Sequence, residues 1–478
     1  MKTTVRLRYS LLLAGLLLFP GAPRASAAAE AAQAPAAVAK ITVTFYGDAA
    51  SARGFTWYTA AASTGSDLQL IEKTGDTPDF GKASAFSGRS YPSPLSPAEN
   101  VHKAEAGGLK PGTEYYFRAG DAARGIWSGT GYFRTAPEKG AFTFIDLADT
   151  QAKNESEAIL SGETIAKAFE TLPGAGFLAV NGDLVDTGSD ENQWNWLLGH
   201  AQRSLLRTTL LPAAGNHEEQ KGAFIGHFNI KPAPGSDTAS GAYYSTDYAN
   251  AHFIVLNTNE NSWSYADMSG RQVAWLKNDA AAAKARGAEW LIVVMHKGPY
   301  TTSSHATDSD IRGWRGVRTR IAPLLAELGA DLVLQGHDHI YARTKPIKKD
   351  GTAAVPARTA GTLNGKSIEY LIDPGGTVYL IPATAGAKTY YRNKKAGPAY
   401  YSLFELADES HAAVYGPDPK APSRPLRGRI QNFTGITVDG QKLTAVSYEI
   451  DQSSNSGRPY IIDQFGIVKS GAGAGAIK

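Results

Sequence analysis

Residues 331–341 read DLVLQGHDHIY, with His337 and His339 one residue apart at the end of an apolar run. Imidazoles placed this way can hold a metal ion when other donors reach the same point. Four further stretches offer such donors: Asp149 and Gln151 in LADTQ, Asp183 in NGDLVD, Asn216, His217 and Glu218 in GNHE, and His296 in VMHKGPY. Taken singly, each has an ordinary explanation. A lone histidine is commonly a satisfied core or capping residue, and Asn-His in a loop is commonly a turn. Five loops that each carry oxygen or nitrogen donors are hard to assign to chance.

The donor set selects the chemistry. The chain has no cysteine, which excludes thiolate sites, thiol catalysis and disulfides. Carboxylate, amide and imidazole together suit zinc, iron or manganese rather than calcium. Two such ions can share one central carboxylate at roughly 3.5–4 Å, a pairing that clamps a phosphoryl group. They also lower the pKa of bound water, which supplies a hydroxide for in-line attack on phosphorus.

Loops that converge need elements to aim them. SEAILSGETIAKAFETL, WNWLLGHAQRSLLRTT, GRQVAWLKNDAAAAKARG and RGVRTRIAPLLAELGA carry helical periodicity, and each leads through a short apolar run to one of the polar loops. Helix, buried strand and polar loop thus recur four times. That pattern predicts an α/β domain over 141–468 with its site past the C-terminal ends of the strands. Residues 41–137 read differently. Short β-like runs such as ITVTFYG, GFTWYT, TEYYFRAG and GTGYFRT alternate with turn residues, which predicts a small all-β sandwich. Its aromatics are read as core, with a carbohydrate or cell-wall contact as the lesser alternative. APEKG is read as a hinge between the two.

The order D-x-Q, G-D-x-x-D, G-N-H-E, VVMH and G-H-x-H is similar to that of the calcineurin-like metallophosphoesterase family. The sandwich in front, with its GLKPGTEYYFRAG turn and strand, resembles a fibronectin type III-like domain and points to the purple acid phosphatase branch. The resemblance implies a four-layer α/β/β/α sandwich holding two metal ions, with Asp183 bridging them. Asp149 and His339 would complete one site, with Gln151 as a further ligand, and Asn216, His296 and His337 the other. Asn216 and His217 would bind the phosphate, His217 stabilising negative charge in the transition state. His305, nine residues after His296, matches a histidine that protonates the leaving group. Asp338 is read as a turn residue between ligands. Tyr341 and Arg343 are read as cleft-lining, Arg343 meeting substrate phosphate, with a surface salt bridge as the equal alternative. In the family a tyrosinate three residues after the bridging aspartate gives the purple colour. Here that position is Asp186, so no purple charge-transfer band is expected. Gln151 stands where many members carry histidine. His102, His200, His227, His252 and His411 are read as structural.

Both ends are read as accessory. Lys2, Arg6 and Arg8 precede the apolar LLLAGLLLFP and the small-residue ASAAAE, which predicts a signal peptide over 1–27. The apolar run is shorter than the roughly 20 residues a membrane span needs. An Ala/Pro-rich linker over 28–40 follows, and 469–478 is read as a flexible tail. The formal charge of +3 falls to near −1 once the leader's four cations leave, and no long basic run remains, so bulk nucleic-acid binding is not indicated. The expectation is a secreted, extracellular or periplasmic dimetal phosphatase acting on phosphomonoesters. A phosphodiesterase or nucleotide pyrophosphatase of the same fold is the alternative, and a non-catalytic wall-associated metal-binding protein a weaker one.

Overall fold

The computed structural model describes residues 37–218, 222–261, 267–407 and 417–470. The expected leader, most of the linker, His411 and nearly all of the expected tail lie outside the described residues.

Two sheets organise the α/β half. In the first, Phe142–Leu147, Phe177–Val180 and Thr209–Pro212 run parallel, in register at Leu147↔Val180 and Val180↔Pro212. In the second, Ala251–Val255, Trp290–Met295, Leu332–Gln335 and Val378–Pro382 run parallel. These strands are mostly apolar and almost wholly buried because both faces are covered. Alternate residues divide between two cores: Phe253, Val255, Ile292, Val294 and Leu334 face the first sheet's core. Ile254, Leu291, Val293 and Val333 join the core that includes Val273, Leu276 and Leu325 of the outer helices. Period-two alternation is what places one strand in two cores. Between the sheets Phe144 stacks on Phe177 at 4.8 Å, and both meet Phe253 edge-on at 5.3 Å.

Three of the four expected helices form as continuous elements: Glu155–Thr171, Glu191–Leu205 and Gly270–Ala285. Each is capped by the residue its sequence supplies, Asn154, Asp190 and Ser269, whose side chains accept an otherwise orphaned backbone N–H. The fourth is broken into Val317–Arg320 and Ala322–Leu328. Pro323 explains the break: it lacks a backbone N–H, so it is tolerated in the first turn of the second helix and not in the interior of a longer one.

The front half is the all-β domain expected, with Val43, Phe55, Trp57, Leu70, Phe117 and Phe133 in its core. The two halves on either side of APEKG share a sheet. Ala39–Phe45 pairs antiparallel with Arg53–Ala60 and, on its other edge, parallel with Thr209–Pro212 at Thr44↔Leu210. One sheet of the sandwich therefore continues the first α/β sheet, which reaches twelve strands among the described residues. Phe45, Ala49 and Ala136 belong to that sheet's core. An unpaired strand edge exposes backbone donors and acceptors, and joining the sheets removes two such edges at once.

Candidate metal centre

Every loop singled out by its donors leaves the C-terminal end of a parallel strand on the same side of the two sheets. Asp149 lies two residues past Leu147, Asp183 three past Val180, and Asn216 four past Pro212. His296 directly follows Met295, and His337 and His339 follow Gln335. Adjacent parallel strands in register bring residues far apart in sequence to one rim.

The donor atoms converge there. His296 Nε2 lies 3.2 Å from Asp183 Oδ2, 3.1 Å from Asn216 Oδ1 and 3.3 Å from His337 Nδ1. The ligand atoms of Asp183, His296 and His337 all lie within 4.8 Å of one another. On the other side of the group, His339 Nε2 is 3.5 Å from Asp149 Oδ1. The histidines are aimed from behind. His296 Nδ1 donates to the Asn181 carbonyl at 2.8 Å and His339 Nδ1 to the Lys388 carbonyl at 2.6 Å. Each hydrogen bond fixes the ring and turns Nε2 toward the carboxylates.

Such an arrangement fits a cation. Asp149 Oδ2 is buried with no hydrogen-bond partner, and a buried acceptor left unpaired is costly. Burial pushes the Asp149 carboxyl well above its usual range, against the pull of His296. Burial acts the same way on Asp183, but His296 and His217 outweigh it and hold that carboxyl below its usual range. Burial would likewise lower His296, yet Asp183 and Asp149 raise it to about 9. Without a metal, then, a proton takes up the positive charge these acceptors demand. His337 and His339 are pushed well below 6.5, first by burial and next by His296 and Lys388 respectively, so both are neutral as ligands must be. Asp149, Asp183, Asn216, His296, His337 and His339 thus form a donor set suited to borderline metal ions.

Two family descriptions match this chain: "Purple acid Phosphatase, N-terminal domain" over residues 38–135 and "Calcineurin-like phosphoesterase" over 156–341. The chain joins a purple acid phosphatase N-terminal domain to a calcineurin-like phosphoesterase domain. An uncharacterized protein of Mycobacterium tuberculosis is 26% identical over 341 residues, covering 65% of this chain and 63% of that protein. The chain thus spans less than two thirds of that relative's length. Purple acid phosphatase 18 of Arabidopsis thaliana is 25% identical over 369 residues, covering 75% and 74%. In fold, the chain is similar to purple acid phosphatase PPD1 from yellow lupin seeds, with a TM-score of 0.66 at 15% identity over 91% of this chain and 75% of that one.

The remaining expected residues differ in how they stand to this group. His217 is at the centre: its backbone N–H donates to Asp183 Oδ1 at 3.0 Å and its Nδ1 to the Asp186 carbonyl at 2.5 Å. His305 is beside it, its ring stacked on His337 at 3.9 Å and its Nδ1 bonded to Asp308 Oδ2 at 2.7 Å. Asp338 is fully buried, and its carboxylate accepts from the Thr301 hydroxyl. Gln151 is close by but differently employed. Its Oε1, the atom that would ligate, accepts from Lys388 Nζ at 2.9 Å, while its Nε2 meets His217 Nε2 at 2.5 Å.

Tyr341 and Arg343 are a correction. Neither lines the cleft. Arg343 Nε and Nη2 grip Asp463 at 2.6 and 3.1 Å, the Tyr341 hydroxyl donates to the same carboxylate at 2.8 Å, and both residues are buried. The strand Tyr341–Thr344 starts directly after the ligand loop, and it carries these side chains between the sheets. A guanidinium there needs an internal carboxylate, and Asp463 supplies it.

Sequence reasoning missed several supports. Glu218 accepts from the backbone of Asp183, Leu184, Val185 and Gly215 at 2.7–3.2 Å, locking two ligand loops together. Its place in GNHE marked it, but nothing in the spacing told a ligand from a backbone clamp. Thr384 donates to the Asp149 carbonyl at 2.7 Å, and Lys388 is tied to both His339 and Gln151. These come from the loop after Val378–Pro382, whose sequence ATAGAKTYY carries no metal-ligand signature.

Proposed function

We propose that this chain is an exported dimetal phosphohydrolase whose substrates are phosphomonoesters. One observation supports this reading above the others: Asp183, His296 and His337 place their ligand atoms within 4.8 Å of one another, beside the unpartnered Asp149 oxygen. Asp149, Asp183 and His339 would hold one cation, and Asp183, Asn216, His296 and His337 the second. When bound, such a pair supplies an activated water and neutralises phosphoryl charge. The protein's own groups do the rest. Asn216 and His217 orient the phosphoryl group. His217 Nδ1 donates to the Asp186 carbonyl, which fixes the ring with Nε2 3.8 Å from Asp183 Oδ2. His305, held through Nδ1 by Asp308, has Nε2 available to protonate the departing alkoxide. The basic, apolar and small-residue order of residues 1–27 supports export. The physical requirements of a merely structural metal site are narrower than this, since it needs neither His217 nor His305.

Asp183→Asn and His296→Ala test the reading. Each is expected to reduce hydrolysis of an aryl phosphate by at least about a thousandfold, the scale lost with key electrostatic groups, while circular dichroism stays native. Wild-type turnover in either variant would rule out the proposed centre.

A further inference from the structure

Lys388 belongs to none of the five ligand motifs, yet it touches the centre at two points. Its carbonyl holds the His339 ring at 2.6 Å. Its ammonium donates to Gln151 Oε1 at 2.9 Å, and the other end of that amide meets His217 Nε2 at 2.5 Å. An ammonium can only donate, so it fixes which end of the Gln151 amide is oxygen. Gln151 has little freedom to turn away: it is 2% exposed, and its backbone N–H donates to the Asp183 carbonyl at 2.8 Å. The aromatic wall beyond is Tyr390, whose ring lies 5.3 Å from Lys388 Nζ, 4.7 Å from the His339 ring and 6.2 Å from the His305 ring. Lys388 thus stands one amide away from the phosphate-orienting His217, on the side bounded by His339 and Tyr390.

We propose that Lys388 is a specificity-determining residue, placing a fixed positive charge beside the phosphoryl group so that the site favours monoester dianions over diester monoanions. This rests on the phosphohydrolase reading above and names the substrate class within it. A phosphomonoester carries a charge of about −1.5 to −2 at neutral pH. A diester carries a single charge and replaces one anionic oxygen with an alkylated one. The metal ligands and His217 are common to both substrates. A further cation rewards only the additional anionic oxygen, and at this position a diester's second substituent would meet the ammonium and the Tyr390 ring. The Gln151 amide separates the Lys388 ammonium from His217.

The test compares 4-nitrophenyl phosphate with bis(4-nitrophenyl) phosphate on metal-loaded wild type, Lys388→Gln, Lys388→Met and Lys388→Arg. Charge-assisted hydrogen bonds of this kind correspond to losses of about 10- to 100-fold. Lys388→Gln and Lys388→Met should lose that much kcat/KM on the monoester, chiefly through KM, and less than about threefold on the diester. Lys388→Arg should restore most of the monoester activity. Metal content and circular dichroism on each variant separate a charge effect from displacement of His339, which would lower both substrates together. Equal losses on the two esters, no loss at all, or a larger loss on the diester would overturn the inference. If either neutral variant is not recovered folded, the other and Lys388→Arg decide by the same ratio. A wild-type protein inactive on both esters would remove the phosphohydrolase reading and this inference with it; an active one whose ester preference ignores Lys388 removes the inference alone.

Discussion

Asp149, Gln151, Asp183 and His337 all hold positive φ, at 57°, 36°, 52° and 72°. None is glycine, and each such conformation costs on the order of 1–3 kcal/mol. The strain is concentrated where the chain must turn a donor sharply off a strand end, and the surrounding bonds hold it there: Glu218 accepts the Asp183 N–H at 2.9 Å, and Asp149 accepts the His337 N–H at 3.1 Å. A carboxylate and a backbone donor each aim the other. At this scale His305 makes a separable prediction. Its ring stacks on His337 but its side-chain hydrogen bond runs to Asp308, so removing it leaves the group of donor atoms in place. His305→Ala is expected to slow alkyl phosphates by about 100-fold and aryl phosphates far less, because a good leaving group needs no proton. Equal losses measured across a series of leaving groups would end the acid role.

The elements owe their positions to contacts away from the centre. Asp247, His252 and Asp279 tie the strands Tyr244–Tyr248 and Ala251–Val255 to the helix Gly270–Ala285. His252 Nδ1 lies 2.5 Å from Asp247 and Nε2 2.8 Å from Asp279, with Arg286 sharing Asp247 and Ser245 donating to Asp279. Burial would lower the His252 pKa, but the two carboxylates outweigh it and raise it above 6.5. The folded state therefore holds this proton more tightly than the unfolded chain. The stabilisation is complete below the unfolded pKa and is lost as pH rises through the raised folded value. The difference in unfolding free energy between wild type and His252→Gln should be larger near pH 5.5 than near pH 9 by about 1 kcal/mol. Denaturant titrations at the two values measure it, and a difference independent of pH would show that the pair of carboxylates does not hold a proton on His252.

At the scale of the whole molecule, the N-terminal domain is built into the catalytic one. Lys40 bonds Glu191 of the second catalytic helix and Glu99 of the sandwich, and His227 lies 3.2 Å from Glu191 while stacked between Trp194 and Tyr58. Thr42 and Thr44 hydroxyls donate to the carbonyls of His227 and Asn229, and Asn229 returns a bond to Ala104. A chain beginning at Glu138 would expose the edge of Thr209–Pro212 and leave Glu191 without Lys40. Losing that ion pair and opening a strand edge both weaken the remaining chain. The shortened protein is expected to unfold at a lower temperature than the full chain or to aggregate through its open strand edge. An unchanged Tm would show that the two halves fold independently.

Much of this was legible from local signals. Helical periodicity and the apolar runs located Glu155–Thr171, Glu191–Leu205 and Gly270–Ala285, together with the strands that end at the polar loops. Donor type and spacing picked out Asp149, Asp183, Asn216, His217, His296, His337 and His339, because ligand chemistry restricts which side chains serve and strand ends restrict where they stand. Other features carry no local mark. The sequence around Tyr341 and Arg343 looks like a cleft edge, and only the approach of Asp463, 120 residues away, turns Arg343 inward. The pairing of Ala39–Phe45 with Thr209–Pro212, the clamp by Glu218 and the two-sided hold of Lys388 likewise depend on which surfaces meet. Residue chemistry and short-range periodicity act within a few positions of the chain and can be read along it. Partnership between distant segments is decided by packing, and packing exists only once the chain has folded.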